Sequence, residues 1–255
     1  MLVDTHAHLF MKEFAADRDA VVGRAARLGV AGIIDVGVDL ETSRAALENA
    51  KRYAGVFASA GFHPHSASEF NPAEFDSFVA GNRDRLAAVG EIGLDYYRDL
   101  SPRRTQREAL EAQLETASRS GLPVIFHCRK AHDDFYAILS GLGKPLRGTM
   151  HCFSGGMSFL KRALDLGLHV GVDAPITYPR SRIAELVRYV PPERLLIETD
   201  APYLPPQPVR GGRNEPCYIA ITAGAVAEAL GVRIFQAAEL TAGNAVELFG
   251  LPISA

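Results

Sequence analysis

The sequence has only three cysteines among 255 residues, and it lacks long apolar runs. No two cysteines have the Cys-x-x-Cys spacing, so a disulfide framework and a cysteine-rich zinc ribbon are excluded. No cationic stretch is followed by the apolar stretch of a secretory signal. No apolar run reaches the length needed to cross a membrane. These absences predict a cytoplasmic protein that does not interact with membranes.

The sequence also lacks an excess of basic residues. Its 27 Lys and Arg are outnumbered by 30 Asp and Glu, which gives a net charge of −3. Proteins that coat duplex DNA present a broad positive surface, so this class is disfavoured. An enzyme that binds a few phosphates locally remains compatible with this charge. The 47% of hydrophobic residues is enough to bury a large core.

Short apolar segments alternate with segments of helical periodicity from end to end. The predicted strands are Leu2–Val3, Gly32–Val36, Val56–Ala60, Leu86–Val89, Val124–Phe126, Thr149–Met150, Leu168–Val172 and Leu195–Ile197. The predicted helices are Asp17–Leu28, Leu40–Tyr53, Pro72–Asn82, Pro102–Ser120, Ala131–Leu142, Met157–Leu166, Ser181–Val190, Ile219–Leu230 and Ile234–Phe249. This alternation predicts an α/β fold, a TIM-type (β/α)8 barrel with an additional C-terminal helix, as one domain over residues 1–255. An open doubly wound sheet is the alternative.

Six residues of metal-ligand type follow the apolar runs of five different predicted strands. They are His6, His8, Glu91, His127, His151 and Asp200. The carboxyl ends of barrel strands meet at one mouth, so these side chains are expected to converge there, which an open sheet would not achieve. Imidazoles and carboxylates together are typical of a hydrolytic metal site.

Two carboxylates in this set have expected catalytic roles. Glu91 directly follows a buried strand, where an unpaired charge is costly, and one carboxylate can bridge two cations. An ion pair with Arg98 is the alternative for Glu91. Asp200 can bind a metal while it accepts a proton from water. Asp95 and Glu198 are candidates to orient the ligand histidines, and stabilisation of a turn is the alternative for Asp95.

Other polar residues near the expected mouth are candidates for substrate binding. His63 follows the third strand in the segment GFHPH, and an exposed turn is its alternative reading. Arg129 comes two residues after His127, so its side chain is expected on the same side of the strand, where it can hold a phosphate oxygen. A structural salt bridge is the alternative. Arg210 and Arg213 follow the eighth strand and supply further positive charge.

Several motifs occur in one order along the chain: DTHAHL, GFHPH, VGEIGLDYY, HCRKA, HCFSG and ETDAPYL, followed by RGGRNEP. Together they closely resemble the TatD family of metal-dependent deoxyribonucleases, from Asp4 to Pro216. The resemblance implies one or two divalent ions (Mg, Mn or Zn) on the six residues above, with Glu91 bridging and Asp200 helping to activate water. It also implies hydrolysis of DNA phosphodiesters, at 3′ ends or in single strands.

The chain departs from the family pattern at a few positions. Gly171 and Asp173 stand where the family commonly has a Ser-rich segment, and Gly212 stands where Lys is frequent. These departures concern substrate preference more than fold. The alternatives are a hydrolase of the same barrel class acting on another ester, a lactone or an amide, and a non-catalytic binding protein.

Overall fold

The computed structural model describes residues 1–143 and 146–253. Its strands are β1 (Leu2–Ala7), β2 (Val30–Val36), β3 (Val56–Ala60), β4 (Leu86–Asp95), β5 (Val124–Arg129), β6 (Gly148–Met150), β7 (His169–Val172) and β8 (Leu195–Ile197). Its α-helices are α1 (Arg18–Arg27), α2 (Leu40–Arg52), α3 (Pro72–Gly81), α4 (Arg103–Ser120), α5 (His132–Gly141), α6 (Met157–Asp165), α7 (Ile183–Val187), α8 (Ile219–Leu230) and α9 (Ile234–Phe249). Each predicted strand and helix has a counterpart among these elements.

All eight strands are parallel and pair in sequence order, each with the next. The ring closes between β8 and β1, because Asp200 N donates to His6 O and His8 N donates to Ala201 O, both at 2.8 Å. The fold is therefore a nearly closed (β/α)8 barrel, as predicted, and the open-sheet alternative is wrong. The extra helix α9 packs on β1 and β8.

Three strands extend further at their carboxyl ends than the apolar pattern predicts. β1 continues through His6, β4 continues six residues beyond Val89 to Asp95, and β5 continues through His127 to Arg129. The prediction ended these strands where polar residues begin. In the structure the backbone ladder continues, so the ligand-type side chains are held by strand backbone near the mouth.

Helix α4 has Pro102 as its N-cap residue, so the preceding Ser101 does not cap the helix. Ser101 Oγ instead donates to His65 O at 2.9 Å and accepts from Ser68 N at 3.2 Å. The serine therefore fixes the loop after β3, and Gly121 ends the helix in the left-handed conformation (φ 67°).

No single helix in the described ranges is long and apolar enough to cross a membrane. The bent pair Pro216–Leu230 and Ile234–Phe249 reaches that length and composition only together.

Candidate metal centre

Imidazoles and carboxylates from β1, β4 and the end of β8 meet in a buried cluster at the barrel mouth. His6 Nε2 lies 3.3 Å from His8 Nε2 and 3.4 Å from Glu91 Oε2. Asp200 Oδ1 lies 3.4 Å from His8 Nε2 and 3.8 Å from His6 Nε2. These four residues are buried, and each is at most 9% exposed.

β5 and β6 add two more imidazoles to the same cluster. His127 Nδ1 lies 2.7 Å from Glu91 Oε1, and His151 Nε2 lies 3.7 Å from the same oxygen. The His151 ring stacks on the His6 ring with centroids 3.6 Å apart. The structure thus brings together all six residues that the sequence singled out.

The donor atoms fit a divalent ion. A tetrahedral site with bonds of about 2.0–2.1 Å separates its ligand atoms by roughly 3.3–3.4 Å. The distances from His6 to His8 and Glu91, and from His8 to Asp200, are within this range. Three groups of donors have atoms within 4.8 Å of one another: His6, His151 and Asp200; His6, His8 and Glu91; and His63, Glu91 and His127. The groups share His6 and Glu91, so these donors form one connected set.

The neighbours of the imidazoles orient them toward the cluster. His8 Nδ1 lies 2.8 Å from Val36 O. Since a carbonyl oxygen only accepts, Nδ1 carries the proton and Nε2 presents its lone pair to the cluster. His151 Nδ1 lies 2.8 Å from Glu198 Oε1, which likewise turns its Nε2 inward. Such contacts are the usual way in which proteins fix ligand histidines.

Charge is strongly coupled within the cluster. Burial lowers the pKa of His151, but the carboxylates of Glu198 and Glu91 raise it by more, to about 10. Burial raises the pKa of Glu91, yet His151, His63 and His6 lower it well below its ordinary value. The cluster thus couples carboxylates to imidazoles, the two kinds of group whose protons a divalent cation displaces on binding.

Two glycines make the close packing around the cluster possible. A Cβ at Gly93, where φ is 153°, would overlap the carbonyl oxygen of His127, so glycine allows β4 and β5 to approach. A Cβ at Gly171 would lie 2.5 Å from Glu198 Oε2. The departure at Gly171 therefore leaves space for the carboxylate that contacts His151.

Asp173, the second departure from the family pattern, is fully buried. Its Oδ2 lies 3.0 Å from Cys152 Sγ, which donates to it. Cys128 packs instead against the apolar core. Cys128 and Cys152 are both half-buried.

The expected substrate residues differ in their surroundings. His63 is buried and its Nε2 lies 3.7 Å from Glu91 Oε1, so it joins the cluster and is not an exposed turn residue. Arg129 and Arg210 are exposed, and their guanidinium carbons lie 4.0 Å and 4.1 Å from the ring centroids of Tyr97 and Tyr178.

Arg213 has a different environment from the other two arginines. Its guanidinium donates to both oxygens of Asp17 at 2.8 Å and to Glu215 Oε1 at 2.7 Å. Arg24 donates to the same Glu215. The hydrogen-bonding capacity of Arg213 is thus used to hold the loop after β8 against α1. The side chain is thus engaged in structure, and the phosphate-binding role expected of Arg213 stays a prediction.

Side chains behind the cluster complete its support. Asp95 Oδ2 lies 3.3 Å from His127 Nε2 and 2.9 Å from His65 Nε2, which matches the orienting role considered for it. Gln106 Oε1 accepts from Asp95 N at 2.9 Å, and Gln113 Oε1 accepts from Phe62 N at 2.7 Å. Buried amides from α4 therefore fix the ends of β3 and β4.

Comparisons with known proteins agree with this geometry. A family model described as TatD related DNase matches residues 3–250. The 3′-5′ ssDNA/RNA exonuclease TatD of Salmonella typhimurium is 38% identical over 226 residues, 86% of this chain and 87% of that protein. The uncharacterized metal-dependent hydrolase YabD of Bacillus subtilis is 35% identical over 252 residues, 98% of this chain and 99% of that protein. The crystal structure of YJJV, a TatD homolog from Escherichia coli K12, has a TM-score of 0.92 at 32% identity and covers 98% of both chains.

Proposed function

The chain belongs to the TatD-related DNase family, and from this premise we propose that it hydrolyses DNA phosphodiester bonds with divalent ions held by His6, His8, Glu91, His127, His151 and Asp200. The observation that carries the proposal is the convergence of these side chains at ligand-to-ligand spacing. Such ions polarise a phosphoryl oxygen and make water easier to deprotonate.

Glu91 is proposed to bridge two ions. Its Oε2 faces His6 at 3.4 Å, while its Oε1 faces His127 at 2.7 Å and His151 at 3.7 Å. The two oxygens thus point to different sets of imidazoles. One carboxylate between two ligand sets supports a pair of Mg, Mn or Zn ions, whose identity the mixed donors do not select.

Asp200 is proposed to accept the proton of the attacking water. Its carboxylate reaches the cluster through Oδ1. Burial raises its pKa, but the hydrogen bond with His8 and the charges of His151 and His6 lower it by more. The carboxylate is therefore ionised at neutral pH, as a proton acceptor must be.

His63 and the exposed arginines are proposed to hold the substrate. His63 lies beside Glu91 at the inner wall of the mouth, and burial lowers its pKa well below the ordinary value, so its imidazole is neutral. A neutral imidazole can donate one hydrogen bond to a phosphate oxygen. Arg129 and Arg210 supply positive charge at the rim.

We propose single-stranded DNA or free 3′ ends as the substrate. The net charge of −3 gives no support to a long duplex footprint. The Salmonella relative is named as a 3′-5′ ssDNA/RNA exonuclease. The cytoplasmic location and the single domain over residues 1–255 stay predictions.

The test is hydrolysis by the metal-loaded protein. Purified protein loaded with Mg, Mn or Zn is incubated with 3′- and 5′-labelled single-stranded and duplex DNA, beside a panel of small phosphoesters, amides and lactones. Shortening of single-stranded DNA that stops on chelation supports the proposal. Intact DNA beside hydrolysis of an amide or lactone would favour the other hydrolase class.

A further inference from the structure

Two tyrosines at the barrel mouth are strongly exposed. Tyr97 is 59% exposed and Tyr203 is 48% exposed. Tyr97 comes two residues after the end of β4, and Tyr203 comes three residues after Asp200. Single exposed aromatic residues are common on protein surfaces, so what distinguishes these two is their position at the mouth, close to the metal-ligand candidates.

Tyr203 stands next to the metal centre. Its ring centroid lies 6.1 Å from that of His8, in an edge-to-face arrangement. Its backbone N donates to Asp200 O at 2.8 Å, and its hydroxyl donates to Met11 Sδ at 3.2 Å. The ring is thus fixed in position while about half of its surface faces solvent beside the cluster.

Tyr97 is the second exposed tyrosine and lies on the opposite side of the mouth from Tyr203. In a ring of eight strands paired in sequence order, β4 stands opposite β8. Tyr97 N donates to Asp95 Oδ1 at 2.9 Å, which ties the residue to the carboxylate beside His127. The exposed guanidinium of Arg129 covers one face of the ring at 4.0 Å, and the ring remains mostly accessible.

We propose that Tyr203 and the Tyr97–Arg129 pair are stacking positions for unpaired nucleobases on opposite sides of the metal centre. Exposed aromatic rings beside cationic groups are the usual means of holding single strands without sequence preference. A base inside a duplex cannot lie on a protein ring, so these positions select unpaired nucleotides. The inference rests on the proposed function, because it places the strand across the same metal centre.

The experiment combines substitutions with abasic substrates. The variants are Tyr203→Ala, Tyr203→Leu, Tyr203→Phe and Tyr97→Ala, assayed on single-stranded oligonucleotides that carry one abasic residue at successive positions from the 3′ end. Tyr189→Ala is the matched control. Tyr189 is 65% exposed and lies between α7 and β8, at the end of the barrel opposite the mouth.

The expected result is a change in KM more than in kcat. Losing the ring at Tyr203 or Tyr97 should raise KM about tenfold, whereas Tyr203→Phe and Tyr189→Ala should behave as wild type. An abasic residue at the position that stacks on Tyr203 should raise KM for the wild type. It should have no further effect in Tyr203→Ala, because that variant has already lost the same base–ring interaction. Tyr203→Leu keeps apolar bulk against His8 and should show the same loss without a folding defect.

A binding measurement separates this inference from the proposed function. A 2-aminopurine base near the 3′ end of the oligonucleotide loses fluorescence when it stacks, whether or not the strand is cleaved. Quenching by the wild type and by Tyr203→Phe, but not by Tyr203→Ala, supports the stacking positions. Equal quenching and equal KM in all variants would overturn them, even if the wild type cleaves DNA. Absence of cleavage beside normal quenching would contradict only the proposed function.

Discussion

Glu91 Oε1 lies 2.7 Å from His127 Nδ1, which joins the carboxylate of β4 to the imidazole of β5. The other oxygen of Glu91 lies 3.4 Å from His6 on β1. One buried carboxylate therefore connects ligand groups from non-adjacent strands. Removing its charge should weaken metal binding and leave the protein folded, since most strand packing does not depend on that charge.

Glu91→Gln should lose activity while the fold remains. The amide keeps the shape of the side chain but removes the charge that two cations would share, so metal content should fall and turnover should decrease roughly 100-fold or more. Metal analysis, circular dichroism and DNA hydrolysis on the same preparation measure this. Glu115→Gln, on the exposed face of α4, is the control that should change none of the three. Full metal content with near-normal turnover in Glu91→Gln would contradict the bridging role.

Metal binding should stabilise the protein more as pH rises. Without metal, the raised pKa of His151, about 10 against an ordinary 6.5, contributes stability that is complete below pH 6.5 and is lost as pH rises toward 10. With metal, the imidazole must be neutral, so the ion binds more tightly at higher pH. The difference in Tm between metal-loaded and metal-free protein should therefore widen between about pH 6 and pH 8. A constant or shrinking difference would argue against His151 as a ligand.

Two arginines should respond differently to the same substitution. Arg129→Ala removes an exposed cation at the mouth and should raise KM for DNA without loss of metal or stability. DNA binding by this variant should also depend less on salt. Each phosphate contact of a single strand contributes about 0.7 to the slope of log binding constant against log salt concentration. Binding measured from low to moderate salt tests this, and unchanged DNA binding at every salt concentration would exclude the role.

Arg213→Ala should instead act on stability. It removes one of the two arginines that Asp17 and Glu215 share, and Arg24 remains. Partly exposed pairs of this kind are worth little, so Tm should fall by roughly 2–4 °C. A thermal melt of this variant measures the effect. Unchanged Tm with a large rise in KM would favour phosphate binding by Arg213 instead.

The three thiols should react slowly in the native protein. Burial raises the pKa of Cys128 to about 12, and burial together with the charge of Asp173 raises the pKa of Cys152 well above its ordinary value. Burial also raises the pKa of Cys217. Only the thiolate reacts readily, so labelling by a disulfide reagent near pH 8 should be much slower than in unfolded protein. Rapid labelling of Cys128 and Cys152 before unfolding would contradict this environment.

The barrel could be predicted because its signals are local. Each apolar run between helical segments indicates a buried parallel strand, and eight of them in alternation specify the ring. Ligand-type residues after several runs then indicate one mouth. The ends of the strands were harder to predict, because the apolar pattern stops before Glu91 and His127 while the hydrogen-bonded strand continues.

The environment of the arginines could not be predicted in the same way. The position of Arg213 after β8 suggested the mouth, but its partner Asp17 comes 196 positions earlier in the chain. Such a long-range pair depends on how the loop folds back on α1, which no local pattern records. The exposure of Tyr97 and Tyr203 could not be predicted either, because it depends on how the loops after β4 and β8 fold.

The measurement that tests the account most directly is the cleavage of end-labelled single-stranded DNA by metal-free protein to which Mg or Mn is returned. The account predicts no cleavage without metal, progressive shortening once metal is added, and shortening that is roughly 100-fold slower or more for Glu91→Gln. Full-length DNA in the metal-loaded wild type, or equal shortening by Glu91→Gln, would contradict it.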